Sequence, residues 1–498
     1  MVVEAAVEAL TYIATPEALL FLVLGTVLGL VFGALPGLGG PIAIALLIPI
    51  TFGFDPRLAF VMMSGAIGGV AFGGSISAIL VNVPGTAPNA ATLLDGHPLS
   101  KEGNANVALG ASATASALGA IVGLVFLVAM LPFLTIILRA IGVTEFFAMA
   151  LFGLVVLAVV TRGSIVTGMI GAALGLLAAF VGFNPVLGGQ RYTFGSTYLL
   201  DGIDLIPVVI GLFAVGEVFK LYSQNRPIAS KPVALGGSVV DGIKSVFQNR
   251  KVFFTSSTLG IGIGLIPAVG GTIATFVAYM YTTQTAEDPD TFGTGDIRGV
   301  IAAEAANDSK EGGAMVPTVA FGIPGSATWA VMLGALILHG IQPGPGLLVN
   351  DLDIVFIIIF SILFSNILTS TIGLLTASKL SKLTNVDPIL LSPSILVMSL
   401  LGAYTARFMI LDVVLAIVLG VFAYLMIKYG ISRVAFIIGL VLGPLMENAF
   451  HQSLQVSRGS YAIFVSRPLT ILIFLLAALS LFYPYLKPRI KEFLQARR

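Results

Sequence analysis

Val81-Asn82-Val83-Pro84-Gly85-Thr86-Ala87 interrupts a long apolar run, and Phe321-Gly322-Ile323-Pro324-Gly325-Ser326-Ala327 repeats the interruption far down the chain. In each, proline removes a backbone donor and stops a regular hydrogen-bond ladder. Glycine follows, with no side chain to keep a ligand from the backbone. Thr86 or Ser326 then stands where a new helix can start, its hydroxyl beside the free N–H groups of the first turn. Inside a bilayer such a break is tolerated only when buried in protein or lining a wet cavity. Two matched breaks in two halves of a membrane chain mark the binding site of a carrier.

The membrane premise follows from composition. The chain has 498 residues, 57% of them hydrophobic and only 10% charged, with mean hydropathy +1.03. A soluble domain carries about 25% charge. Charge-free apolar stretches run over 103–138, 354–378, 388–406 and 468–486, and about 20 apolar residues span a bilayer. The expected fold is an all-α polytopic membrane protein. No short alternating strands of a β-barrel are visible.

Net charge is +1 and gives no sign of nucleic-acid binding. There is no cysteine, which excludes disulfides and thiol chemistry. His97, His339 and His451 lie far apart and form no metal motif. No catalytic or metal-ligating residue is assigned, and no GxxxxGK[ST] phosphate loop occurs. The stretch 1–16 has no Lys or Arg ahead of its apolar run and does not fit a cleavable signal peptide.

Outward from the two breaks, the halves match. Leu35-Pro36-Gly37-Leu38-Gly39-Gly40 precedes the first, and Ile266-Pro267-Ala268-Val269-Gly270-Gly271 precedes the second. Each leads into an arm too short to span, 41–51 and 272–281. Asp95-Gly96-His97-Pro98, expected as a polar turn, corresponds to the segment beginning at His339-Gly340. The insert 282–298 has no counterpart in the first half. Four regions result: an N-terminal transmembrane repeat (1–219), a basic connector (220–251), a C-terminal repeat (252–465), and a last span with a basic tail (466–498). Within the connector, Val239, Val240, Ile243, Val246 and Phe247 recur at helical spacing, with Ser238 and Asp241 as an expected capping box. Basic segments stay inside. The tail (Lys487, Arg489, Lys491, Arg497, Arg498) and the connector (Lys220, Arg226, Lys231, Lys244, Arg250, Lys251) are therefore expected in the cytoplasm, and the acidic N-terminus outside. Two inverted-topology repeats follow, with broken or re-entrant helices meeting near the midplane.

Paired helix N-termini at one place form an anion site. No basic residue lies within the break motifs, so backbone donors are expected to carry recognition, helped by Asn82, Thr86, Asn89, Thr318, Ser326 and Thr328, with Pro84, Gly85, Ala87, Pro324, Gly325 and Ala327 shaping the site. A carboxylate suits such donors. Carbonyls near Pro36, Gly37 and Pro267 are candidates for a coupling cation such as Na⁺, and Glu304, Asn307 and Asp308, within one turn of each other, for a coupling ion or proton. Against these stand plainer readings. Pro-Gly pairs commonly serve as kinks or packing notches, Glu304 and Asp308 could form a solvated face, and Asp95 and His97 fit a structural turn. An intramembrane enzyme needs a His/Asp/Glu cluster or a Ser/Lys dyad, which is not found. An anion channel favours symmetric oligomers rather than a repeat within one chain.

At these residues a family resemblance emerges. Gly33-Ala34-Leu35-Pro36-Gly37, Phe72-Gly73-Gly74-Ser75, Asn82-Val83-Pro84-Gly85-Thr86 and Leu94-Asp95-Gly96 resemble the large membrane subunit (TctA) of tripartite tricarboxylate transporters. So do Glu304-Ala305-Ala306-Asn307, Gly322-Ile323-Pro324-Gly325-Ser326, and His339-Gly340 with Pro343-Gly344-Pro345. Val269 and Asp308 depart from the usual pattern. The resemblance implies a permease of the prokaryotic inner membrane that imports di- or tricarboxylates on an Na⁺ or H⁺ gradient, without a cofactor. It also implies two partners: a small membrane subunit (TctB) and an extracytoplasmic binding protein (TctC).

Overall fold

Helix starts are set by local chemistry. Thr15 caps the helix Pro16–Ala34 by accepting from the Ala18 N–H, Asp55 caps Pro56–Val81 through the Arg57 N–H at 2.8 Å, and Asp296 caps Ile297–Phe321 through the Arg298 N–H at 2.8 Å. The first two carry proline at the first helical position, where its missing N–H costs nothing. The computed structural model describes residues 2–160, 165–184, 188–224, 235–267, 269–383 and 388–495. Arg226, Lys231, Ala268, Arg497 and Arg498 lie outside the described residues.

In chain order the helices are α1 (Val2–Ile13), α2 (Pro16–Ala34), α3 (Gly39–Thr51), α4 (Pro56–Val81), α5 (Asn89–Lys101), α6 (Ala105–Ala140), α7 (Val143–Val160) and α8 (Ile165–Ala179). Two short strands, β1 (Gly182–Phe183) and β2 (Gln190–Arg191), pair antiparallel. Next, α9 (Leu205–Val209) passes through a π-helical turn, Ile210–Val215, into α10 (Gly216–Gln224). Then follow α11 (Val239–Gln248), α12 (Arg250–Gly264), α13 (Gly270–Thr285), α14 (Ile297–Phe321), α15 (Ala327–Leu338), α16 (Pro345–Asn350) and α17 (Leu352–Leu383). The last are α18 (Pro388–Arg407), α19 (Ile410–Lys428), α20 (Arg433–Val456), α21 (Ile463–Ser466) and α22 (Pro468–Gln495). The all-α membrane architecture stands: among the described residues, seven helices are long and apolar enough to cross a membrane.

The chain forms two compact units, each drawing on both sequence halves: 1–132 with 206–424, and 133–205 with 425–498. In the second unit, α8 and α20 run parallel with Gly171, Gly175 and Gly439 at their contact. Glu145 there is buried and bound by Arg467 at 3.0 Å and by the Thr470 hydroxyl at 2.9 Å. Arg191 makes a two-pronged pair with Glu447 at 2.6 and 3.0 Å.

The first unit holds both breaks. A Cβ on Gly25, Gly29 or Gly33 would lie 2.0, 2.2 or 2.2 Å from the carbonyl oxygens of Met62, Ala66 and Val70. Residue pairs therefore rise together, so α2 and α4 run parallel in backbone contact, the use membrane helices make of small residues spaced by four. Gly260 and Gly264 place α12 against α14 in the same way, facing Ala306 and Lys310. Because α2 and α4 are parallel, α3 must bring the chain back between them. Its 13 residues reach about 20 Å, short of a bilayer core of about 30 Å; α13 has the corresponding place in the second half.

The halves also exchange helices. Gly119 and Gly123 of α6 face Ala305 and Ser309 of α14, while Gly68 of α4 faces Ser365 of α17. Thus α6 runs along the second half's central helix and α17 along the first half's.

Several local expectations change. Residues 93–101 are helix, not turn. The acidic N-terminus is helix α1, with Glu8 paired to Arg57 at 2.8 Å. Ser238 precedes α11 but makes no side-chain cap bond. Asp241 instead lies 3.9 Å from Lys244, so the capping box does not form. Gly242 seats α11 on Val107 and Gly110 of α6, leaving Val240 and Phe247 exposed.

Candidate functional site

The two breaks share a backbone design. Helix α4 ends at Asn82 (φ 60, ψ 28) and α14 at Gly322 (φ 67, ψ 20), both left-handed and both two residues before the proline. Asparagine is one of the few residues besides glycine that tolerate this conformation. The chains then re-enter helix differently. Ser326 is the N-cap of α15, accepting from the Trp329 N–H at 3.4 Å, so this helix starts where the motif places it. Its first-turn N–H groups, on Ala327 and Thr328, have no acceptor within the helix.

The first break does not start a helix at Thr86. Helix α5 begins at Asn89, after a tight turn in which Asn89, Ala90 and Ala91 N–H groups reach the Thr86, Ala87 and Pro88 carbonyls at 3.1, 3.3 and 3.3 Å. Pro88 closes this turn and stands at the N-cap of α5. The Thr86 hydroxyl instead donates to Asn89 Oδ1.

The glycines of the motifs face protein. A Cβ on Gly85 would lie 2.0 Å from the Gly33 carbonyl oxygen and 2.6 Å from Gly74 Cα; one on Gly325 would lie 2.5 Å from Ala314 Cβ. Their N–H groups are also engaged, Gly85 with the Gly74 carbonyl at 3.3 Å and Gly325 with the Thr318 hydroxyl at 3.1 Å. The expectation that glycine opens the backbone to a ligand is therefore corrected: Gly85 lets the first break nest on α2 and α4, and Gly325 lets the second nest on α14. Thr318 is committed to this nesting and fully buried, its own hydroxyl donating to the Ala314 carbonyl at 2.6 Å. Asn89 is likewise buried, donating to Ser75 Oγ at 2.8 Å and the Ala71 carbonyl at 3.2 Å. Pro324, Gly325 and Ser326 are buried; Pro84, Thr86, Ala327 and Thr328 are half-buried; Asn82 and Ala87 are exposed.

All four interruptions meet within the first unit. The Gly37 N–H donates to the Gly85 carbonyl at 3.4 Å, joining the Pro36 turn to the first break. Gly40 lies under Thr328 of the second break, its Cβ position 2.7 Å from Thr328 Oγ1. Reciprocally, Gly271, after the Pro267 turn, faces Pro88 of the first break, and the Thr275 hydroxyl donates to the Pro88 carbonyl at 3.1 Å. Each half's first interruption thus packs on the other half's second.

Charge enters from outside the break motifs, from the body of α14. Lys310 is buried on α14 with its stem against Gly271, beside Pro88. Its ammonium pairs with Glu311, whose other oxygen accepts from the Trp329 indole N–H at 2.7 Å. Lys310, Glu311 and Trp329 therefore bridge the two breaks. The break motifs contain no basic residue, and Lys310, six positions past Glu304, is off that residue's helical face, so no spacing signal in the sequence points to it. Glu304, Asn307 and Asp308 do not form a solvated face. All three are buried, with Thr92 hydrogen-bonded to Glu304 and Ser116 to Asp308 at 2.5 Å. Asp95 proves structural. It accepts N–H groups from Gly293, Gly295 and Asp296 at 2.7, 3.0 and 2.9 Å and the Tyr279 hydroxyl at 2.8 Å, pinning the polar insert to α5. Among the described residues no group of three or more Asp, Glu or His is placed to hold a metal ion.

Helices broken at matched Pro-Gly pairs, with buried charge where the breaks converge, are the construction of a polytopic membrane transporter. Residues 19–438 match the tripartite tricarboxylate transporter TctA family, and the chain belongs to that family, as a membrane component of a transporter. It is 31% identical over 464 residues, 91% of this chain and 90% of the relative, to an uncharacterized 52.8 kDa protein in the TAR-I ttuC' 3' region of Agrobacterium vitis. A protein in the TAR-II ttuC' 3' region of the same organism is 30% identical over 207 residues, 42% of this chain and 86% of that one. No solved structure matches the chain.

Proposed function

We propose that this protein is the transporting subunit of a three-part importer for di- and tricarboxylates, driven by an Na⁺ or H⁺ gradient. The observation that carries the reading is the buried Lys310–Glu311–Trp329 bridge between the two breaks. A substrate carboxylate entering there meets an ammonium already desolvated, together with the Ala327 and Thr328 N–H groups and the half-buried Thr86 and Thr328 hydroxyls. Such an anion competes with Glu311 for Lys310; Glu311 then keeps the Trp329 indole bond but loses its cation, a cost of about 3–5 kcal/mol that the substrate's other contacts and a co-transported cation offset. Reciprocal packing of the four interruptions supports two inverted repeats with the site between them, the arrangement for alternating access. With basic segments inside, the N-terminus lies outside and the C-terminus in the cytoplasm of a prokaryotic cell. The family's three-part organisation supports a small TctB-like membrane subunit and an extracytoplasmic TctC-like binding protein as partners.

The test is uptake of labelled citrate, succinate and tartrate into proteoliposomes, with the two partners supplied and Na⁺ or pH gradients imposed in turn. Saturable uptake with a fixed ion stoichiometry is expected. Non-saturable flux down the substrate gradient alone would make the protein a channel, and no flux of any carboxylate would refute the substrate class.

A further inference from the structure

One buried carboxyl has no part in the substrate reading above. Glu304, fully buried at 0% exposure, accepts from the Thr92 hydroxyl on one oxygen. Its other oxygen, Oε2, has no hydrogen-bond partner. No lysine, arginine or histidine pairs with it among the described residues; Lys310, on another face of the same helix, is engaged by Glu311. Ser75, Asn89 and Ser112 present polar side chains to the same carboxyl. Ser112 is also fully buried, and its Oγ likewise has no hydrogen-bond partner. A buried carboxylate without a counter-charge costs several kcal/mol, and two unpartnered oxygens on facing helices compound that cost.

We propose that Glu304, with the hydroxyls of Thr92, Ser75 and Ser112, forms a binding site for one Na⁺ ion between α4, α5, α6 and α14. One carboxylate balances one monovalent charge. The remaining donors are neutral hard oxygens, the ligand type alkali and alkaline-earth ions take. A Ca²⁺ site recruits several carboxylates, and Asp308, one turn on, is bound by Ser116 at 2.5 Å instead. The site is wired to the first break. Asn89 donates to Ser75 Oγ at 2.8 Å and receives the Thr86 hydroxyl on its Oδ1. An ion that fixes Ser75 therefore fixes Asn89, and through it the turn that carries Thr86. Binding of cation and substrate would then be linked reciprocally. That coupling rests on the transporter reading; the ion site itself does not.

The experiment is thermal unfolding of the purified full-length protein without substrate, titrating NaCl against KCl and choline chloride at constant ionic strength and pH. Ligand that binds only the folded state raises Tm in a saturable way. The parent is expected to show a saturable rise in Na⁺ and none in K⁺ or choline. Glu304→Gln should abolish it, and Ser112→Ala should weaken apparent Na⁺ affinity at least tenfold. Because the Ser112 hydroxyl makes no protein hydrogen bond, its removal tests the site even if Glu304→Gln does not fold. Equal Tm in all three salts, or an unchanged Na⁺ response in both variants, would overturn the site. So would a stabilisation that follows pH alone, which would make Glu304 a proton carrier. Carboxylate uptake without any Na⁺ response would refute the ion site and leave the transporter reading intact; an Na⁺ response without carboxylate uptake would do the reverse.

Discussion

Lys310 is the residue on which the substrate reading turns, and its pairing allows fold and function to be separated. The Lys310 side chain is 8% exposed and that of Glu311 15%. Replacing lysine alone, as Lys310→Met, leaves Glu311 buried without its cation, a loss of about 3–5 kcal/mol. The Trp329 indole bond to Glu311 exists with or without the lysine and does not enter that difference. Removing both charges, as Lys310→Met/Glu311→Gln, keeps an acceptor for Trp329 and should return stability to within about 1 kcal/mol of the parent, since neutral replacements of buried pairs are commonly tolerated. The folded double variant should nevertheless have lost the substrate's charged partner. A charge-assisted hydrogen bond contributes about 1.5–3 kcal/mol, so affinity should fall roughly 10- to 150-fold. Trp329 is the only tryptophan in the chain, so its emission reports on this site directly. Titrating a carboxylate should change parent fluorescence saturably as Glu311 is displaced, and the double variant should need correspondingly more ligand. A stable double variant that binds carboxylate like the parent would show that the pair is scaffolding and that recognition lies elsewhere.

Other outcomes follow from the same geometry. Asp95→Ala removes the acceptor for three backbone N–H groups and the Tyr279 hydroxyl. Limited proteolysis should then cut within residues 287–296 at least tenfold faster than in the parent. Acid should loosen the same insert: burial raises the Asp296 pKa, but hydrogen bonds from Arg298 and Thr291 outweigh it and hold the carboxyl below its ordinary value. Its contribution is therefore present above pH about 4 and lost as pH falls through the lower folded value, which protease sensitivity against pH will read. Gly85→Val and Gly325→Val should lower the yield of folded protein by size-exclusion chromatography, because their Cβ positions collide with Gly33 and Ala314; normal yield with lost transport would return those glycines to a ligand-facing role. For topology, the cysteine-free chain allows single-cysteine labelling. The Lys244 side chain is exposed, so cysteines at Lys244 and Gln495 should label from the cytoplasm and one at Val3 from outside. Labelling of Val3 and Lys244 from one side would refute the inverted arrangement.

The membrane class, the two matched breaks and the proline- and glycine-bearing interruptions before them were legible in the chain alone, because these features are local. Hydropathy decides where helices can lie, and proline decides where they must stop. The start of α15 at Ser326 was legible for the same reason, since an N-cap acts over three residues. Local chemistry misled at the first break, where a turn through Pro88 comes before α5 starts at Asn89. What only the tertiary structure decided is which faces meet. Gly85 and Gly325 have the same composition whether they open onto a ligand or onto Gly33 and Ala314. Lys310 is distant in sequence from Pro88, and Thr92 and Ser112 are each far from Glu304, so no spacing rule links them. They come together because α6 packs on the opposite half's central helix and α5 lies against α13 and α14. That exchange of helices between halves depends on contacts remote in the chain, and it sets which polar groups the interior must satisfy.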